Sequence, residues 1–308
     1  MSDNKYVTIL MTVRNGGKYI QETLDSIMAA KTVGEIIILN DNSDDNTQEI
    51  IIKQKSIDSR IKIISSDYHI GLDDSVEILW RHTRNPYICT LPADDIMIHD
   101  KFDDMSRRFF GSDLTLSLIF GRYQLLEGGV VRDLRHPGWY TARPLSDGFE
   151  HFKNVLINDL YIFAGAMIMD KRRFPIYSAE LVRQSGVFAG DLFYFIQAFL
   201  HSKQEIVSFY DDAVALHRRR DDQRTSKDYS TSGNALEDYL KIIGTFRESI
   251  KGCFSQQENF MLLRRLEKKL FQALEGGSAS RGKVHKLFDS IGNDFPFSKE
   301  LRSMMTQK

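Results

Sequence analysis

Residues 7–17 read Val-Thr-Ile-Leu-Met-Thr-Val-Arg-Asn-Gly-Gly, and this stretch decides the fold. Val7 to Met11 is a continuous run of β-branched and apolar residues, the pattern of a strand buried on both faces. Asn15-Gly16-Gly17 breaks it. Tyr19, Ile20, Thr23, Leu24, Ile27 and Met28 then recur at helical spacing. The same alternation continues. Ile36 to Leu39 is a second buried strand, ended by Asn40-Asp41-Asn42-Ser43, and Thr47, Ile50 and Ile51 open another helical face. Ile61 to Ile64, a helix over Leu72 to His82, and a strand over Tyr87 to Leu91 complete the series. Continuous apolar strands separated by helices predict an α/β domain whose central sheet is mostly parallel and covered by helices on both faces.

Beyond residue 110 the rhythm changes. Leu114 to Phe120 and Tyr123 to Leu126 are strand-like, and Gly128-Gly129 marks a hairpin into Val130-Val131. Helices are expected over Phe149 to Leu156 and Asp191 to about His201, and strands over Ile206 to Phe209 and Ala213 to Leu216. Residues 221–234 are polar and read as a linker. Helices over Leu236 to Phe246 and Phe260 to Leu274 form a C-terminal helical extension. The expected division is a catalytic domain over 1–225 and the extension over 226–308.

Composition narrows the function classes. With 308 residues, 42% apolar and 27% charged, the chain has the make-up of a globular protein, and its formal net charge of −1 gives no field to attract nucleic acid. Two cysteines, Cys89 and Cys253, are too far apart for a CxxC pattern, and Cys89 lies in an apolar run as a buried thiol would. Met1 to Lys5 carries no basic and apolar leader, and the longest apolar stretch, near Leu160 to Met169, is about half a membrane span. The expected location is therefore cytoplasmic.

In an open parallel sheet, ligands bind beyond the carboxyl ends of the strands. Three polar clusters fall there: Thr12-Val13-Arg14-Asn15, Asn40-Asp41-Asn42-Ser43 and Pro92-Ala93-Asp94-Asp95. Adjacent carboxylates after a buried strand repel each other unless a cation or donor stands beside them. Mg²⁺ characteristically uses one or two carboxylates plus substrate phosphates. The chain has no HExxH, no Cys/His cluster and no GxxxxGK[ST], so carboxylates and a diphosphate would have to complete a metal site. The competing role for Asp94-Asp95 is a turn capping a helix near His99.

Taken together, VTILMTVRNGG (7–17), TLDSI (23–27), IIILNDNSDDNT (36–47) and LPADD (91–95), in this order and spacing, resemble family 2 glycosyltransferases of the GT-A fold, a Rossmann-like architecture. The resemblance covers about residues 5–225. It implies inverting transfer of a sugar from a nucleotide diphosphate-sugar, with UDP-sugars favoured, to an acceptor hydroxyl with the help of Mn²⁺ or Mg²⁺. The implied partners are that donor and a saccharide or lipid-linked saccharide acceptor, as in bacterial surface polysaccharide or glycoconjugate synthesis. By position, Thr12, Val13, Asn15, Asp41 and Asp94 would bind the nucleotide, Asp95 the metal, and Asp191 would be the general base. His217, Arg218, Arg220 and Arg224 would close over the pyrophosphate.

Some positions depart from the pattern. His69 to Asp74 is acidic where relatives often carry a base, Gly190 stands where they have a glutamate before the general base, and Arg220 or His217 can align with their histidine. Asp191 also suits a helix N-cap. Two other classes remain open, a sugar-1-phosphate nucleotidyltransferase and a non-catalytic nucleotide-sugar-binding protein. The basic stripe of the last helix, with Arg264, Arg265, Lys268 and Lys269 beside Phe260, Leu263, Leu266, Leu270 and Leu274, suits packing on the catalytic domain, a homodimer contact, or peripheral contact with the inner membrane face.

Overall fold

The computed structural model describes residues 5–134, 139, 142–158, 160–220 and 234–275. The expected alternation is present in the first half. Strands β1 (Val7–Val13), β2 (Val33–Asn40), β3 (Ile61–Ser65) and β4 (Tyr87–Thr90) alternate with helices α1 (Ile20–Met28), α2 (Thr47–Ile57) and α3 (Leu72–His82). They lie in the order β3-β2-β1-β4, all parallel. Val7 to Met11 and Ile36 to Leu39 are at most 1% exposed, which is why these strands lack the alternation of a one-sided sheet. Fully burying each such aliphatic side chain contributes about 1.5–3 kcal/mol.

Past β4 the sheet becomes mixed. After β5 (Ile96–Met97) and α4 (His99–Gly111) come β6 (Leu118–Glu127), β7 (Val130–Asp133), β8 (Leu145–Asp147) and α5 (Gly148–Asn158). Then follow β9 (Met167–Asp170), α6 (Ala179–Ser185), α7 (Gly190–His201) and β10 (Ile206–Arg219). β9 runs antiparallel to both β4 and β6, and thereby joins the parallel half to β6 and β10. The long β6–β10 pairing is again parallel, so the expected parallel character holds in both halves, and the antiparallel pairings are those of β9 and of the short strands β5, β7 and β8.

Two expected breaks are continuous strand. Gly121 interrupts the apolar pattern of β6 because β10 crowds it: an added Cβ would lie 2.9 Å from Val214 Cγ2. Asp211-Asp212 falls inside β10, where the pairing with β6 slips between Tyr210 and Ala215 and absorbs the polar pair.

Helices α8 (Asn234–Thr245), α9 (Arg247–Ile250) and α10 (Gln256–Glu275) follow. α10 packs on α5 and α8 and is tied to α5 by the Lys153–Glu258 ion pair at 3.0 Å. Its buried stripe is Leu262, Leu266 and Leu270, whereas Phe260 is exposed. The inward face is therefore rotated from the expected one, and Lys269 lies 4.4 Å over the Tyr239 ring. Of the expected stripe, Leu266 and Leu270 are spent inside the chain, as packing on the catalytic domain requires. Leu274 belongs to the part of α10 whose side chains are outside the described residues. No helix among the described residues is long and apolar enough to cross a membrane.

Candidate active site

The three polar clusters meet at the carboxyl edge of the parallel half. Asn15 adopts a left-handed conformation (φ 52°). From it the backbone amide donates to Ser43 Oγ at 3.0 Å, and its Oδ1 accepts from the Asp44 amide at 2.8 Å. Gly16 and Gly17 donate to Thr47 Oγ1 and Asp45 Oδ2, both at 2.9 Å. The third cluster is tied to α1 by Thr23 Oγ1, which donates to the Ala93 carbonyl at 2.9 Å.

A cavity of about 390 Å³ opens along this edge, within the range of small-molecule sites. Thr12, Val13, Asn15, Asp94, Asp191, His217 and Arg220 all line it. Three other expected site residues, Asp41, Asp95 and Arg218, do not. Arg224 lies outside the described residues.

Asp41 is 4% exposed and its carboxylate anchors the loop before α3. The Ile70 and Gly71 amides donate to it at 2.7 and 3.0 Å, and His69 Nδ1 lies 2.7 Å away. Gly71 makes this possible with φ 94°, a value costly for any side-chain-bearing residue. Burial alone would raise the pKa of Asp41, but these two amides and His69 outweigh it and hold the carboxyl below its usual range.

The two residues of the Asp94-Asp95 pair face different ways. Neither caps a helix: α4 has Ile98 at its N-cap and no side-chain cap, while the Asp95 amide closes a turn on the Pro92 carbonyl at 3.3 Å. Asp94 borders the cavity and pairs with Arg220 at 3.1 Å. Asp95 is fully buried. It accepts from the Arg218 amide at 2.7 Å, and His217 Nδ1 lies 3.2 and 3.3 Å from its two oxygens. Burial raises the pKa of Asp95. Burial also opposes charge on His217, yet Asp95 outweighs it and raises the His217 pKa. The pair therefore holds on to a shared proton and titrates as one unit.

Arg218 is a clamp rather than a cavity residue. Its Nε donates to the Asp94 carbonyl at 2.8 Å and its Nη2 to Glu22 at 2.6 Å, and the guanidinium sits 4.8 Å over the Tyr19 ring. Arg220 lies over the same ring at 5.0 Å and reaches the cavity. Alternate residues of a strand point to opposite sides, and Arg219 accordingly turns away toward Glu127, 4.0 Å away.

Asp191 lies in the first turn of α7, whose N-cap is Ala189 with no side-chain cap. The Tyr161 hydroxyl donates to its Oδ2 at 2.6 Å. Tyr161, Tyr19, Asp73 and Tyr177 also line the cavity, and sequence reasoning missed all four. Tyr19 is visible only as one position of a helical face and Tyr161 only inside an apolar run. The acidity of 69–74 is the one signal that pointed at Asp73.

Comparison with known proteins agrees with this geometry. The family model described as Glycosyl transferase family 2 matches residues 8–154, the segment that carries β1 to β4 and the Asp94-Asp95 turn. Over these residues the chain is identified as a family 2 glycosyltransferase. An uncharacterized glycosyltransferase of Haemophilus influenzae is 33% identical over 97 residues, 31% of this chain and 30% of that protein. The Escherichia coli UDP-Glc:alpha-D-GlcNAc-diphosphoundecaprenol beta-1,3-glucosyltransferase WfgD is 23% identical over 180 residues, 58% of this chain and 67% of that protein. The match thus spans less than a third of the first relative and about two thirds of the second. Among solved structures, S. aureus TarS 1-349 in complex with UDP-GlcNAc superposes with a TM-score of 0.61 at 12% identity, covering 97% of this chain and 92% of TarS 1-349. That likeness extends the shared GT-A fold past residue 154.

Proposed function

We propose that this family 2 chain is an inverting glycosyltransferase moving a sugar from a UDP-sugar to the hydroxyl of a saccharide or lipid-linked saccharide. The observation that carries the proposal is that Thr12, Asp94, Asp191, His217 and Arg220 border one cavity. They supply, in one space, a nucleotide edge, a cationic phosphate contact and a carboxylate able to take a proton. The names of WfgD and of the TarS complex, both concerning UDP-sugars, support that choice of donor. Residues 1–225 would form the catalytic unit and 226–308 its helical extension. A lipid-linked acceptor suits surface polysaccharide or glycoconjugate synthesis on the cytoplasmic side.

Asp95 and His217 fit a divalent ion such as Mn²⁺ or Mg²⁺. Asp95 and His217, 3.2 and 3.3 Å apart in their contact, are the residues that would hold the ion. No cluster of three or more His, Cys, Asp or Glu ligands exists among the described residues, so phosphate oxygens and water would complete the shell. An ion held there would offset the charge developing on the departing diphosphate.

The chain's own groups would do the rest. Arg220 can leave Asp94 for a phosphate oxygen with a charge-assisted hydrogen bond. Thr12, Val13 and Asn15 would border the nucleotide, and Asp41, which does not itself line the cavity, would act through the 69–71 loop that it holds. Asp191, oriented by Tyr161, would take the proton from the acceptor hydroxyl as that oxygen attacks the anomeric carbon. Attack opposite the leaving group inverts the configuration. The family assignment leaves the nucleotidyltransferase alternative without support.

Thermal unfolding with a panel of UDP-, GDP-, CDP- and dTDP-sugars, each with Mn²⁺ or Mg²⁺, tests the proposal. A metal-dependent rise with UDP-sugars is expected. No rise with any sugar nucleotide would overturn it.

A further inference from the structure

Asp73, Tyr177 and Gly190 come from three separate segments and meet beside Asp191 at the cavity wall. A Cβ added to Gly190 would stand 2.8 Å from Asp73 Oδ1, 3.0 Å from Val182 Cγ1 and 3.1 Å from the Tyr177 hydroxyl. Glycine at 190 thus leaves the volume that the Asp73 carboxylate occupies. The Tyr177 hydroxyl donates to Asp73 Oδ1 at 2.7 Å, which fixes its orientation.

An acid in the first turn of a helix ordinarily complements the helix dipole. In α3 the neighbouring Asp74 meets that need on the outer surface, where it pairs with Arg183. A dipole role for Asp73 requires neither glycine at 190 nor a place on the cavity wall.

The chemistry of the group narrows its ligand. A carboxylate is an acceptor and repels phosphate, so it suits the hydroxyls of a neutral sugar ring. Asp73 also lies two residues after Gly71, whose amide donates to Asp41, the residue expected to serve the nucleotide base. That position favours the donor's sugar.

We propose that Asp73 is a specificity-determining residue that accepts a hydrogen bond from a hydroxyl of the donor sugar, in space that Gly190 leaves clear. This rests on the nucleotide-sugar function above. The test is titration calorimetry of the full chain with UDP, UDP-glucose and UDP-N-acetylglucosamine in Mn²⁺, for wild type, Asp73→Asn and Gly190→Ala. Asp73→Asn should weaken at least one UDP-sugar by about tenfold or more while UDP affinity stays within about twofold. Gly190→Ala, which pushes a methyl onto Oδ1, should shift the same ratio in the same direction. UDP binding reports that each variant is folded. Equal loss of UDP and UDP-sugar, or no change in either, would overturn the assignment of Asp73. Failure of wild type to bind any of the three would instead overturn the donor reading itself, and this assignment with it.

Discussion

His217 Nδ1 lies 3.2 and 3.3 Å from the two carboxylate oxygens of Asp95, although the residues are 122 positions apart. The end of β10 thereby closes over the turn after β4. Replacing His217 by Ala leaves a fully buried carboxylate with only the Arg218 amide of these two contacts. The expected cost is about 1–3 kcal/mol, together with loss of Mn²⁺-dependent protection by UDP. Unfolding temperatures with UDP, with and without Mn²⁺, would show both. Full Mn²⁺ dependence in this variant would place the ion elsewhere.

Asp191→Asn keeps the shape of the cavity but removes the proton acceptor. Donor binding should be unchanged, while transfer falls by about 10²–10⁴-fold. Tyr161→Phe, which deletes the 2.6 Å bond to Asp191, should cost less, on the order of tenfold. Rates of nucleotide release at saturating donor separate the two. Undiminished transfer by Asp191→Asn would move the base to another residue.

Asp41 links stability to pH. Its pKa in the folded chain lies below the ordinary 3.8, so the ionised form stabilises the fold above that value. The contribution disappears as pH falls through the folded pKa. Asp41→Asn should therefore be less stable than wild type near neutral pH, and the gap should narrow in acid. Melting curves from about pH 7 down to about pH 2.5 measure it. A gap that stays constant over that range would mean the loop does not depend on the charge.

Arg218 and Arg220 share the Tyr19 ring but should fail differently. Arg218→Ala removes bonds to Glu22 and to the Asp94 carbonyl, and should lower stability by about 1–3 kcal/mol. Arg220→Ala, at the cavity, should lower UDP affinity with little change in melting temperature. Denaturant unfolding paired with UDP titration distinguishes them. The opposite pattern would exchange their roles.

Cys89 is fully buried, and burial pushes its thiol pKa up to about 12. Cys253 is only half-buried. Alkylation of the native chain near pH 8 should modify Cys253 alone, with Cys89 reacting only on unfolding. Mass spectrometry of the labelled chain would reveal early Cys89 modification if the core were looser than described.

The first half of the chain was legible because its signals are local. Short β-branched runs such as Ile36 to Leu39 read as strands buried on both faces because Asn15-Gly16-Gly17 and Asn40 to Ser43 mark where they end. The second half was less so. Gly121 and Asp211-Asp212 look like breaks until the crowding of Val214 and the slipped pairing of β10 explain them. In α10 the expected Leu266 and Leu270 are buried and Leu263 packs against the core, whereas Phe260 is exposed and Leu262 is buried in addition, because only the packing on α5 and α8 selects among the apolar residues.

The sequence alone determined the parallel half-sheet, the edge where the cavity opens and the residue types gathered there. Each of these depends on periodicity and on turn residues within a few positions of one another. Tertiary structure decided which carboxylate faces what. Asp94 meets the cavity and Asp95 is sealed against His217, Arg218 clamps while Arg220 reaches in, and Asp73 enters beside Asp191 through the gap at Gly190. Such pairings join residues tens to more than a hundred positions apart, and only the packing of β10, α3 and α7 on the sheet fixes their distances.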